Sequence, residues 1–266
     1  MSGDRGPTGA PARAAAGGGS ATFRARVTTN GLDVASVEPG SPMGRRYRRK
    51  LIHLIANQLG GEIAGAEFYG MGVRNAPGVD EKRLAADLAR EEAEHGALFA
   101  ELLRELGHTP ESVGQYRRAR RFFGVVQRVL APRVTWLDVI LFNFVVDRYA
   151  YYLLEDFAKS SYAPLVRTAQ AIVFEEQRHL RLGPSLLRAE VSRSGTRRVQ
   201  RAVSKWWRMG LNFFAVGARN EAYVELSLLP RDSEARLAAF RRDLEPHLVE
   251  AGLRVPRLLH GRFPYL

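Results

Sequence analysis

Apolar residues recur along most of the chain at intervals of three and four. Leu51, Ile55, Leu59, Ile63 and Ala66 fall on one stripe, which predicts an amphipathic helix over residues 46–69. A second is predicted over 79–106, with Leu84, Leu88 and Phe99 in register and Gly107 as its stop signal. A third covers 135–159, with Ile140, Phe144, Tyr151 and Leu154 on its stripe. A fourth covers 162–191, with Leu165, Ala169, Ile172 and Gly183. Two further helices are expected near 196–215 and 232–252. No stretch alternates as a strand, and no internal repeat is evident.

Residues 108–133 separate the second helix from the third. They hold Pro110, Gly114, Gly124 and Pro132 with a basic run, Arg117, Arg118, Arg120 and Arg121, and read as a crossover connection with at most short helices. Two hairpins of long helices joined by such a connection describe an all-α four-helix bundle with two additional C-terminal helices. At the other end, 13 of residues 1–20 are Gly, Ala or Pro, too flexible a tract to pack. Residues 21–44, with Pro39, Gly40 and Pro42, read as an extended arm lying across a neighbour. The chain thus divides into a disordered or extended arm, 1–44, and a helical domain, 45–266.

Each long helix carries an acidic residue on the stripe that should face the core: Glu62, Glu92, Asp147 and Glu176. Two of these open Glu-x-x-His, as Glu92-Ala-Glu-His95 and Glu176-Gln-Arg-His179. Residues three apart share a helix face, so a carboxylate and an imidazole can reach one metal. Glu62 precedes Glu92 by 30 residues and Asp147 precedes Glu176 by 29, which in antiparallel hairpins sets the pairs at matching depth. Four ionised carboxylates in an apolar core cost several kcal/mol each unless compensated. Two divalent cations balance them, and a mixed carboxylate and imidazole set suits iron or manganese. Carboxylates from two helices with Glu-x-x-His from the other two are the ligand pattern of ferritin-like di-iron bundles.

A third Glu-x-x-His, Glu105-Leu-Gly-His108, sits at a helix end, and the position 30 residues before it is Asn75, so it reads as accidental. Glu91 and Glu175 lie four residues before His95 and His179. The Leu88 and Ile172 stripe favours Glu92 and Glu176 as ligands. Glu91 and Glu175 are then acceptors for imidazole N–H groups on the opposite hairpin, or solvated surface carboxylates.

Composition narrows the chemistry further. The 266 residues include no cysteine, which excludes disulfides, thiolate zinc sites, iron–sulfur clusters and a cysteine nucleophile. No apolar run reaches the roughly 18 residues a membrane span needs. Residues 1–20 contain no Leu, Ile, Val or Phe, so no signal peptide is read there; a cytoplasmic protein without a membrane partner is expected. The formal charge is +12, but 36 of the 40 basic residues are Arg, the skew of a GC-rich genome. The charge is therefore weak evidence for an anionic partner, and nucleic acid is not the expected one.

At these residues the chain resembles the phenylacetic acid catabolic branch of ferritin-like proteins, and within it the catalytic A-type subunits of multicomponent phenylacetyl-CoA epoxidases. The matching stretches run from Tyr47-Arg-Arg-Lys-Leu-Ile52 to Glu62-Ile-Ala-Gly65 and through Glu91-Glu-Ala-Glu-His95-Gly96. They continue with Val145-Val-Asp-Arg148, Ser161-Tyr-Ala-Pro164, Glu175-Glu-Gln-Arg-His179 and Trp206-Trp207, so the resemblance covers residues 45–257. It implies a di-iron monooxygenase with two iron ions and O2 as co-substrate. Electrons would come from a separate reductase. The product would be an epoxide or hydroxylated form of an aromatic or acyl-CoA thioester. It also implies assembly as a homo- or hetero-oligomer with a related scaffold subunit.

The same resemblance assigns Glu62, Glu92 and His95 to the first metal and Asp147, Glu176 and His179 to the second, with Glu92 and Glu176 bridging. It also makes the Arg117–Arg121 run a candidate holder of substrate phosphates, with a solvated basic loop as the plainer reading. Phe99, Phe144, Tyr151 and Phe174 are candidate pocket residues or plain core. Four alternatives remain open: a hydroxylase of a small free acid or carrier-bound intermediate, a hydroxylase of modified tRNA, a ferroxidase or storage protein, and a non-catalytic iron-binding partner.

Overall fold

The computed structural model describes residues 26–29, 32–130, 133–214 and 217–257. Helix α1 (Arg45–Asn75) and helix α2 (Val79–Glu105) form the first hairpin. Gly107 closes it as expected: its φ of 77° is the left-handed conformation that glycine tolerates best, and His108 N–H reaches back to the Leu103 carbonyl at 2.9 Å. A short 3₁₀ turn at Pro110–Ser112 leads into α3 (Gly114–Leu130). The second hairpin begins with α4 (Trp136–Leu141), a π-helical segment (Phe142–Asp147) and α5 (Arg148–Phe157), three parts of one continuous rod. Its return is α6 (Ala163–Ser194), opened by Pro164, whose missing N–H is no loss in a first turn. Helices α7 (Thr196–Phe214), α8 (Gly217–Glu225) and α9 (Ser233–Glu250) complete the chain's described part. The all-α, ferritin-like bundle expected from the spacing is the fold observed.

The two expected C-terminal helices are joined by a third, the short α8, and the structure departs from the sequence reading at three further places. Residues 108–133 hold a full helix, α3, rather than a loose crossover. It packs on α1 because Gly60 and Gly61 leave a flat strip: a Cβ on Gly60 would lie 2.6 Å from Ala119 Cβ, and one on Gly61 would lie 3.7 Å from Phe123. Gly114 and Gly124 read as breaks, yet the helix needs only the apolar face that Tyr116, Ala119 and Phe123 turn toward α1.

Within the N-terminal arm, β1 (Arg26–Thr29) and β2 (Leu32–Ala35) pair antiparallel, with Arg26 opposite Ala35. The β-branched run Val27-Thr28-Thr29 is the signal for it. Val37 is tied to the chain's own bundle. Its N–H bonds the Ser161 carbonyl at 2.7 Å, and its carbonyl accepts from Ala163 N–H at 3.0 Å. Residues 1–25, including the Gly/Ala/Pro tract, lie outside the described residues.

Third, the rod expected over 135–159 is a regular helix only in part, because six of its residues are π-helical.

Two apolar clusters fill the bundle at successive levels. One gathers Leu51, Ile55, Phe99, Phe157, Leu165 and Ile172. The other gathers Phe68, Leu88, Phe144, Trp206, Trp207 and Phe240 and is completed by α7 and α9. Polar contacts fasten these C-terminal helices. Trp206 Nε1–H donates to Asp138 Oδ1 at 3.0 Å, and Asp138 also caps α4 with Thr135. Asp156, fully buried on α5, accepts from Arg231 at 2.5 Å and Arg236 at 2.7 Å, and Arg148 pairs with Asp243 of α9.

Two stability predictions follow from this packing. Gly60→Val should cost about 1–3 kcal/mol by overpacking the α1–α3 contact, read as a lowered urea midpoint. Arg236→Ala should cost more, about 3–5 kcal/mol, by leaving Asp156 buried with half its compensation.

Candidate metal centre

Between the two apolar clusters each of the four rods carries its polar interruption. Glu62 comes from α1, Glu92 and His95 from α2, Asp147 from the end of the π segment, and Glu176 and His179 from α6. All six are buried, none more than 5% exposed. The structure brings all of them together. One ligand atom from each of Glu62, His95 and Glu176 lies within 4.8 Å of the others, and the same holds for Glu92, Asp147 and His179. Either triad can hold a metal ion. Each draws on residues of both hairpins.

Glu176 faces both imidazoles. Its Oε1 lies 3.2 Å from His95 Nδ1 and its Oε2 lies 3.6 Å from His179 Nδ1, one oxygen toward each imidazole. Glu62 Oε2 lies 3.7 Å from His95 Nδ1. Asp147 Oδ2 and Glu92 Oε1 lie 3.9 and 4.0 Å from His179 Nδ1. The two rings have centroids 6.4 Å apart. Gly65 makes room for Glu92: a Cβ at that position would sit 2.7 Å from Glu92 Oε2.

Both Nδ1 atoms and Glu176 Oε2 are buried without a hydrogen-bond partner. A buried polar atom normally finds one. Three such atoms, spread over the two triads, are what bound cations would satisfy.

The opposite ring nitrogens are tied across the bundle. His95 Nε2 meets Glu175 at 2.9 Å and His179 Nε2 meets Glu91 at 2.8 Å, each partner from the other hairpin. The two carboxylates differ in setting: Glu91 is buried and bonded by Arg178, whereas the Glu175 side chain is 46% exposed.

Three contributors escaped the sequence reading. Gln58 donates to Glu62 at 2.5 Å, Asn143 to Asp147 at 2.9 Å, and the fully buried Tyr69 hydroxyl to the same Asp147 oxygen. Gln58 and Asn143 each stand four residues before the carboxylate they serve, a spacing that offered the signal.

Other candidates fall away from the centre. Phe174 is 74% exposed, and Phe99 belongs to the apolar cluster beside Phe157. Glu105 is exposed at the end of α2, so the third Glu-x-x-His does not join the site. Arg117, Arg118 and Arg121 are exposed on α3, and Arg120 pairs with Glu67.

Without a cation, crowding sets the protonation. Burial pushes the Glu92 carboxyl well above its usual range, reinforced by Asp147, Glu62 and Glu176. Burial also lifts Asp147 to about 7, against the pull of His179. For His95 burial opposes the charge, but Glu176 and Glu62 outweigh it and raise the ring to about 11. His179 rises to about 10 in the same way, through Glu176 and Glu91. Glu176 resists burial through its contacts with both imidazoles and falls to about 2.

A sequence profile described as "Phenylacetic acid catabolic protein" matches residues 23–262. The chain is 26% identical over 196 residues to the subunit designated A of the 1,2-phenylacetyl-CoA epoxidase of Escherichia coli strain K12; the match takes in 73% of this chain and 63% of that protein's length. Among solved structures it is similar to a Synechococcus protein with aldehyde deformylating oxidase activity. That match has a TM-score of 0.66 at 18% identity, over 79% of this chain and 93% of the other. Both relatives are named for oxidative activities. Among the described residues, no helix is long and apolar enough to cross a membrane.

The protonation pattern predicts a pH response of the metal-free protein. Groups with raised pKa stabilise most below their unfolded values, and the gain is lost as pH rises through the folded ones. In chelator, the melting temperature should therefore fall between about pH 4 and pH 11, through Asp147 up to about pH 7 and through His179 and His95 above about pH 6.5. Glu176 acts oppositely, losing its contribution only below about pH 4.5.

Proposed function

Because the chain belongs to the phenylacetic acid catabolic protein family, we propose that it is a di-iron, O2-dependent monooxygenase. Its substrate would be an aromatic or acyl-CoA-type thioester, epoxidised or hydroxylated by this chain as the catalytic subunit of a multicomponent cytoplasmic system. The observation that carries this reading is the pair of buried carboxylate–imidazole triads, with Glu176 reaching toward both imidazoles and three polar atoms left without partners between them. Glu62, Glu92, His95, Asp147, Glu176 and His179 would hold two iron ions. Residues 45–266 would form this di-iron domain and residues 1–44 its extended arm.

Bound iron supplies the redox chemistry that divides O2 between product and water, with electrons from a separate reductase. The chain does the rest. Four carboxylates balance the charge of two divalent cations. Gln58, Tyr69 and Asn143 fix the carboxylates by hydrogen bonds, and Glu91 and Glu175 hold the imidazoles so that Nδ1 faces inward. The apolar clusters on either side exclude water from the reacting region. A related scaffold subunit would complete the assembly, in keeping with a relative that is named as one part of a larger enzyme.

Metal analysis, followed by reaction of the reduced protein with O2 in a panel of acyl-CoA thioesters, tests the reading. Two metals per chain and an oxygenated thioester are the expected result. Consumption of a free acid or an RNA in place of any thioester would overturn the substrate, and iron uptake without substrate oxidation would favour an iron-handling role. Iron binding should release protons, because His95 and His179, raised to about 11 and about 10, are protonated near neutrality in the metal-free protein. The acid released into a weakly buffered indicator solution measures it. His179→Ala should abolish turnover.

A further inference from the structure

The two triads are alike in composition but not in how firmly they are held. In the triad of Glu92, Asp147 and His179, the Asp147 carboxylate receives two hydrogen bonds, from Tyr69 and from Asn143 at 2.9 Å. Its imidazole is held by Glu91 at 2.8 Å. Glu91 is itself buried, bonded by Arg178 and approached by Arg90 at 3.3 Å, so both its charge and its position are fixed. In the triad of Glu62, His95 and Glu176, Glu62 receives one side-chain donor, Gln58 at 2.5 Å. The His95 imidazole is held by Glu175 at 2.9 Å, and that carboxylate is 46% exposed with no Arg or Lys paired to it among the described residues.

Resting on the metal-binding reading, we propose that the two positions fill in order. The Glu92–Asp147–His179 position binds its cation first and more tightly. The Glu62–His95–Glu176 position is the one through which cations enter and exchange. Prearranged ligands lose less freedom on binding, which favours the braced triad. The charge of Glu175, paired to His95 but to no Arg or Lys among the described residues, pulls the other way, but water screens a half-exposed carboxylate, so it draws a cation in more than it retains one. Glu91 and Glu175 are thus positioning residues for opposite halves of the centre, one permanent and one exchangeable.

Titration of Co2+ into the chelator-treated full chain, followed by calorimetry and visible absorption, reads this directly. Two binding events at least tenfold apart are expected. Glu91→Ala should weaken the tighter event by about 10- to 100-fold, the usual scale for losing a ligand's hydrogen-bond partner. Glu175→Ala should weaken the second event by a similar factor, leave the first within about twofold, and speed release of one Co2+ to chelator. Glu175→Gln keeps an acceptor for the ring N–H and should restore most of the second event, which gives a readable variant if alanine unfolds the chain. Two equal events, or a Glu175→Ala effect on the tighter event, would overturn the ordering while leaving the metal-binding reading intact. No Co2+ bound by the wild type would overturn both.

Discussion

Four carboxylates sit where a helical bundle would otherwise place leucines, and the rest of the structure answers to that placement. Moving an ionised carboxylate from water into such a core costs several kcal/mol even after relaxation. The molecule meets the cost in three ways at once. Imidazoles from both hairpins bring positive charge within 4.0 Å of the acids. Neutral donors, Gln58, Tyr69 and Asn143, supply hydrogen bonds. Burial and crowding push the Glu92 carboxyl well above its usual range and lift Asp147 to about 7, which favours their neutral forms. None of the three satisfies the inward nitrogens of His95 and His179. The metal-free arrangement is therefore a balanced but incomplete one.

The same constraint governs the backbone. Helices must approach closely for side chains as short as Asp147 to share a centre with Glu62. Glycines stand where they do so: Gly65 against Glu92, Gly72 against Val139, Gly183 against Asn143 and Phe144, and Gly210 against Val145. Three of these four press on the rod that carries Asp147. The C-terminal helices add a brace from outside, through Trp206 to Asp138 and Arg148 to Asp243.

Much of this was legible from residue order alone, because two regular periods convert spacing into position. Three residues along a helix return to the same face, so Glu92 with His95 and Glu176 with His179 had to project together. Separations of 30 and 29 residues across the turns then set Glu62 and Asp147 at the same depth. What resisted reading depends on contacts between elements. The sharing of Glu176 between both imidazoles came only from the family resemblance, because it is a matter of oxygen positions, which no spacing encodes. Helix α3 was hidden because its glycines read as breaks while its partner strip, Gly60–Gly61, lies more than fifty residues earlier. Phe174 sits one residue before the Glu175-Glu176 pair, yet faces water, because a step of one residue turns a helix by about 100°.

The π segment carries a consequence for how this chain can change. A π turn accommodates one residue more than the regular helix around it, so Phe142–Asp147 is a counted interval between the Thr135–Asp138 cap and the carboxylate at its end. Losing a single residue there would let the rod relax into an uninterrupted spiral. The relaxed spiral would swing Asp147 out of line with Tyr69 and Asn143. Substitution can wander widely over the outer faces of the bundle, but insertions and deletions have almost no freedom in these six residues.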